Sequence, residues 1–129
     1  MIRLILALLL AALPAFAQTP MSASEFEAHT KGKTLYYGVG GERYGVEEYL
    51  SNRRVRWSFL DGECKEGNWY PSGDQICFVY EDNPVPQCWL FYLKGDSLAA
   101  RFASGDDPTV LYEVEGNGEM LCLGPKVGV

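Results

Sequence analysis

The run Trp69-Tyr-Pro-Ser-Gly-Asp-Gln-Ile-Cys77-Phe-Val-Tyr-Glu-Asp-Asn-Pro-Val-Pro-Gln-Cys88-Trp89 decides how the rest of the chain is read. Two stretches rich in aromatic and β-branched residues flank a segment of Asp, Asn and Pro, the pattern of two strands around a turn. Each strand carries one cysteine. Consecutive antiparallel strands bring facing residues within the roughly 4 to 7 Å Cα spacing that a disulfide needs, so a Cys77–Cys88 bond is expected. Side chains alternate between faces along a strand, so these cysteines face each other only if opposed residue numbers sum to 165. A loop spanning Asp82 to Pro86 pairs 81 with 87, an even sum that separates the sulfurs. The hairpin therefore demands a four-residue loop or a bulge near Pro84 to Pro86.

Outward from this hairpin, the same texture repeats. Strands are expected near 33–39, 43–50, 54–60, 63–70, 75–81, 87–94, 97–103, 109–115 and 119–123, separated by short turns such as Gly40-Gly41, Asp61-Gly62, Gly95-Asp96, Ser104 to Pro108 and Gly116 to Gly118. Connections this short join antiparallel neighbours, because a parallel crossover needs about a dozen residues. The expected fold is all-β: an antiparallel up-and-down meander of about eight strands, curled or closed into a barrel so that no edge is exposed. Inward sets are read as Val55, Trp57 and Phe59; Ile76, Phe78 and Tyr80; Trp89, Phe91 and Leu93; and Val110, Tyr112 and Val114. The run 87–93 is apolar on both faces, as a strand covered on both sides would be.

Before the first strand, Ser22 to Lys31 carries helix punctuation. Ser22 with Glu25 fits a capping box, as does Ser24 with Glu27, and Gly32 is placed for the C′ cap. A helix of about two turns is too short to stand alone, so Phe26 is expected to pack on the sheet.

Residues 1–17 have the three parts of a secretory signal: Arg3, an apolar run from Leu4 to Leu13, and the Ala15-Phe16-Ala17 ending. The apolar run falls short of the roughly 20 residues that span a bilayer. Cleavage near Ala17 leaves a single domain, 18–129, in a periplasmic or secreted setting. That chain has ten Lys plus Arg against seventeen Asp plus Glu, a formal charge of −7 since Arg3 is removed, which disfavours nucleic acid as a partner. In an oxidising compartment four cysteines pair by default, and they allow three connectivities. With Cys77 bonded to Cys88, Cys64 is left for Cys122.

Signals for catalysis are weak. The sole His29 lies in the short helix, so no Ser/His or Cys/His pair and no Cys/His zinc site is supported; no metal or cofactor is expected. Glu47 and Glu48 are adjacent on a strand, point to opposite faces, and read as a solvated edge; Asp106-Asp107 reads as a turn without calcium-ligand spacing. The candidate binding surface is Arg53, Arg54, Arg56 and Trp57, with Arg43 nearby, a local positive charge suited to a carboxylate or phosphate. The competing reading pairs those arginines with Glu47, Glu48 or Glu63. The three Trp and eight Tyr suit a core, a cavity lining or a stacking platform.

The order of Ser22 to Phe26, Gly32-Lys-Thr-Leu35, Tyr49-Leu, Arg54-Val-Arg-Trp57, Asp61-Gly62, Gly67-x-Trp69, Ile76-Cys-Phe78, Tyr80-Glu81 and Cys88-Trp89 resembles small exported proteins of Gram-negative bacteria grouped as a domain of unknown function. The resemblance spans nearly all of 18–129 and implies a periplasmic all-β protein. It brings no catalytic residues. The expected function is a non-enzymatic binding or interaction module for a small ligand, a cell-wall fragment or a protein, inhibitor-like in one version. The alternative is a small hydrolase of envelope glycan or lipid using carboxylates such as Glu47, Glu63 or Glu81, which requires two of them to converge.

Overall fold

The computed structural model describes residues 18–103, 105–106 and 109–122. Residues 1–17, which the sequence suggests are a signal, Asp107 of the Asp106-Asp107 pair and the end of the last expected strand lie outside the described residues. Eight strands follow one helix: α1 (Ala23–Thr30), β1 (Thr34–Val39), β2 (Glu42–Tyr49), β3 (Arg54–Ser58), β4 (Lys65–Ser72), β5 (Gln75–Tyr80), β6 (Asn83–Lys94), β7 (Ser97–Phe102) and β8 (Val110–Val114). Each strand pairs antiparallel with its sequence neighbour, and β8 pairs with β1, so the sheet is a closed up-and-down barrel without a free edge.

The hairpin obeys the parity argument. Ile76 faces Trp89, Cys77 faces Cys88 and Phe78 faces Gln87, whereas Tyr80 faces Asn83. Only Val79 separates the last two positions on β5, while Pro84, Val85 and Pro86 separate them on β6, so the bulge falls on the proline segment. β6 therefore begins at Asn83 instead of residue 87. The Cys77–Cys88 disulfide spans this pair with Cα atoms 3.9 Å apart, and Cys64–Cys122 joins the other two cysteines at 5.4 Å.

Three expectations need correction. On β8 the inward residue is Leu111, set opposite Ala100, while Tyr112 is half exposed. The run Val-Leu-Tyr-Glu-Val offers apolar residues at both parities, and pairing with β7 selects between them. Residues 119–122 form no strand. That segment belongs to an irregular tail lying over Tyr36, whose hydroxyl donates to Asn117 Oδ1 and to the Glu119 carbonyl, before Cys122 ties it to Cys64. Finally, β6 is covered on one face only. Phe91 is buried inside, whereas Leu90 and Tyr92 on the outer face are partly exposed and Leu93 is exposed. The outer positions of β2, β3 and β4 carry Glu48, Arg56 and Glu66 in an ion-pair row, charge that a lipid-facing barrel wall would exclude at mid-height.

The helix begins as its punctuation dictates. Ser22 Oγ accepts from the Glu25 amide while Glu25 Oε1 accepts from the Ser22 amide. Gly32, at a φ of +75°, reverses the chain, and its amide donates to the Tyr49 carbonyl. Phe26 is fully buried, its ring 4.5 Å from that of Phe91, 5.1 Å from Trp69, 5.7 Å from Tyr49 and 6.3 Å from Phe78. Those rings come from β2, β4, β5 and β6, so Phe26 sits within the barrel and α1 stoppers the end where β1 starts and β2 ends.

Candidate functional site

At the opposite end the barrel is open. Here side chains from all eight strands line a cavity of about 170 Å³. Tyr37, Tyr49, Trp57, Phe78, Trp89 and Phe91 form its aromatic wall, and three of these, Tyr49, Phe78 and Phe91, are the rings that Phe26 packs against from below. Trp57 reaches its place because β2 has no side chain at Gly45. A Cβ there would stand 2.2 Å from the Trp57 ring and 2.9 Å from the Ser58 carbonyl oxygen. The rim is built from Tyr44, Phe59, Lys65, Asp82 and Asn83. Lys65 Nζ lies 2.7 Å from Asp82 Oδ2 and 5.3 Å from the centre of the Phe59 ring.

One carboxyl group lies inside. Glu47 is 2% exposed, and its Oε1 accepts a 2.7 Å hydrogen bond from the Tyr80 hydroxyl. Its Oε2 is buried with no hydrogen-bond partner, the sole such side-chain oxygen or nitrogen among the described residues. Burial disfavours the ionised form and pushes the Glu47 pKa up to about 8, against the opposing pull of the Tyr80 hydrogen bond. Burial likewise raises Tyr80 well above the usual phenol range, with the Glu47 carboxylate adding to it. The Tyr37 and Tyr49 hydroxyls share a 2.7 Å hydrogen bond, and burial raises both phenols. At neutral pH the interior is therefore mostly uncharged, with a titratable carboxyl on its wall and an ion pair at its mouth. Among the described residues, no three His, Cys, Asp or Glu side chains group as metal ligands.

The arginine surface is divided. Arg56 is held outside the barrel by Glu66 at 2.6 Å and Glu48 at 3.3 Å, which is the cross-strand pairing weighed against ligand binding. Arg53 lies at the stoppered end, 3.5 Å from Glu27 and over the Trp69 ring, while Arg54 is exposed. Arg43 stacks on Tyr36 and donates to the Glu115 carbonyl. Trp57 points the other way, into the cavity. These four candidate residues are thus not brought into one surface. His29 lies 3.2 Å from Glu113 Oε1.

Glu47 also corrects the solvated-edge reading. Glu48 is the outward member of that pair and Glu47 the buried one. Of the carboxylates considered for hydrolysis, Glu63 and Glu81 are exposed, and Glu81 Oε1 accepts from the Glu66 amide. They do not converge on Glu47. Comparison of the chain with family models, curated proteins and solved structures finds no match.

Proposed function

We propose that the protein is a non-enzymatic binding module that holds a small ligand in the open end of its barrel. The observation that carries this reading is the unpartnered Glu47 Oε2, buried in the wall of an aromatic cavity that opens to solvent. A buried carboxyl oxygen without a partner costs free energy, on the order of 1 to 3 kcal/mol, that a bound hydrogen-bonding group removes. Size agrees: an apolar cavity of about 150 Å³ accepts benzene, and this one is about 170 Å³. The bound group is therefore one ring, or the ring-sized end of a longer molecule emerging past Tyr44 and Phe59. The carboxylate hydrolase finds less support, since among the described residues Glu47 is the one buried carboxylate and Asp82 at the rim is engaged by Lys65.

Export belongs to the same proposal. The signal-like residues 1–17 and two disulfides suit a periplasmic or secreted protein, and the resemblance to small exported Gram-negative proteins points the same way. None of the described helices is long and apolar enough to cross a membrane. The net negative charge leaves small ligands or proteins, not nucleic acids, as partners.

A test is to titrate single-ring aromatic compounds into the purified protein and follow chemical shifts of the Trp57 and Trp89 indole groups. Saturable shifts are expected, and they should vanish in Ala100→Leu, which fills the cavity from β7 while leaving the Glu47 carboxyl in place. Titrations that leave the indoles unmoved, or that saturate equally in the filled variant, would refute the cavity as the binding site.

A further inference from the structure

We infer that the cavity selects a ring-bearing organic cation, an arylalkyl amine or amidine, whose N–H groups meet Glu47 Oε2 while its ring occupies the aromatic chamber. This inference rests on the binding-module reading and adds the chemistry of the ligand. Glu47 Oε1 is already occupied by the Tyr80 hydroxyl, so Oε2 is the position where a new partner gains most. A cation placed there enters a chamber lined by the rings of Tyr37, Tyr49, Trp57 and Trp89, and the π face of such a ring attracts positive charge. The chamber's size limits the apolar body to about one ring. The chain's formal charge of −6 draws cations toward the protein and repels anions, which argues against a carboxylate or phosphate ligand at this mouth.

A neutral hydrogen-bond acceptor is the competing occupant, because an empty site holds Glu47 mostly protonated at pH 7. The two differ in proton linkage. A cation binds the ionised carboxyl, so the Glu47 proton leaves to solvent as the amine enters. With the carboxyl titrating at about 8, ionisation at pH 7 reduces affinity by about tenfold. Formation of an ion pair at short range in a water-poor chamber works against that penalty. Amine affinity should rise close to tenfold from pH 6 to 7 and flatten above pH 8. The groups facing Glu47 are Tyr80 from β5, Tyr37 from β1 and Tyr49 from β2, with Glu113 of β8 acting on Tyr37 and the Lys65–Asp82 pair at the rim. The three phenols stay neutral through this pH range, so Glu47 dominates the linkage.

The experiment compares benzylamine, benzyl alcohol and toluene by calorimetry at pH 6, 7 and 8, in two buffers of different ionisation enthalpy. Benzylamine is expected to bind at least tenfold more tightly than either neutral probe at pH 8, to release close to one proton at pH 7, and to lose its advantage in Glu47→Gln. Equal binding of benzyl alcohol and benzylamine, or pH-independent amine binding, would overturn the cation while leaving the binding module standing. Binding of none of the three would overturn both. If Glu47→Gln does not fold, the wild-type probe ranking and proton release decide the question by themselves.

Discussion

Glu47 has a measurable cost apart from any ligand. Its carboxyl titrates at about 8 in the folded chain against a usual 4.5, so between those values the folded state binds more protons than the unfolded one. Stability is then highest below about pH 4.5 and falls as pH rises toward 8, by up to about 5 kcal/mol from this group. Urea unfolding at pH 5, 7 and 9 should show this decline, and Glu47→Gln should flatten it. A wild-type stability that rises from pH 5 to 9 would contradict the burial assigned to this carboxyl. Gly45 makes a second prediction at this scale. Gly45→Ala places a methyl group where the Trp57 ring lies, and it should destabilise the fold by about 1 to 3 kcal/mol and quench or shift Trp57 fluorescence. Neither role was legible in the sequence. Gly45-Val46-Glu47-Glu48-Tyr49 presents an apolar Val at one parity and an apolar Tyr at the other, so nothing local says that Glu47 points inward. Its partner Tyr80 comes from β5, and closure of the sheet alone brings them together.

Among the elements, α1 was the most legible and its destination the least. The capping box and Gly32 announce its ends, and both are found. What one turn of polar residues around Phe26 cannot announce is that the ring enters a barrel instead of lying on a sheet. Phe26→Ala should therefore cost about 3 to 5 kcal/mol, the magnitude of an emptied core site, whereas Ser22→Ala should cost about 1 kcal/mol through the lost cap. Thermal or urea melts of the two variants check the ranking, and equal costs would place Phe26 at the surface. The β5–β6 hairpin was legible to the level of register because two cysteines and a parity rule leave few solutions. In β8, which lacks such a fixed point, the inward residue could not be told from the pattern.

For the molecule as a whole, turn chemistry carried the architecture. Glycine and Asp/Asn connections too short for crossovers leave only a meander, and pairing of β8 with β1 closes it. The C-terminal tail escaped because Glu119 to Cys122 has strand-like residues but no neighbour left to pair with once β8 has joined β1. Its Cys64–Cys122 bond closes the longer loop, with a sequence separation of 58 against 11 for Cys77–Cys88. By loop entropy the Cys64→Ala/Cys122→Ala variant should lose about 4 kcal/mol and Cys77→Ala/Cys88→Ala about 3 kcal/mol. The first should also expose Tyr36, which is now 6% exposed beneath the tail, to solvent-quenching probes. A smaller loss in the first variant with Tyr36 still shielded would show that the tail holds without its bond.

The stopper at the helix end imposes a chronology on folding. Phe26 precedes every strand in the chain, yet the rings that hold it belong to residues 49, 69, 78 and 91, and the seam between β1 and β8 closes only when residues 110–114 arrive. The helix that comes first among the described elements thus has a seat that is complete only when later strands are in place. Until residue 91 has been added, Phe26 lacks part of the aromatic seat that buries it in the native fold.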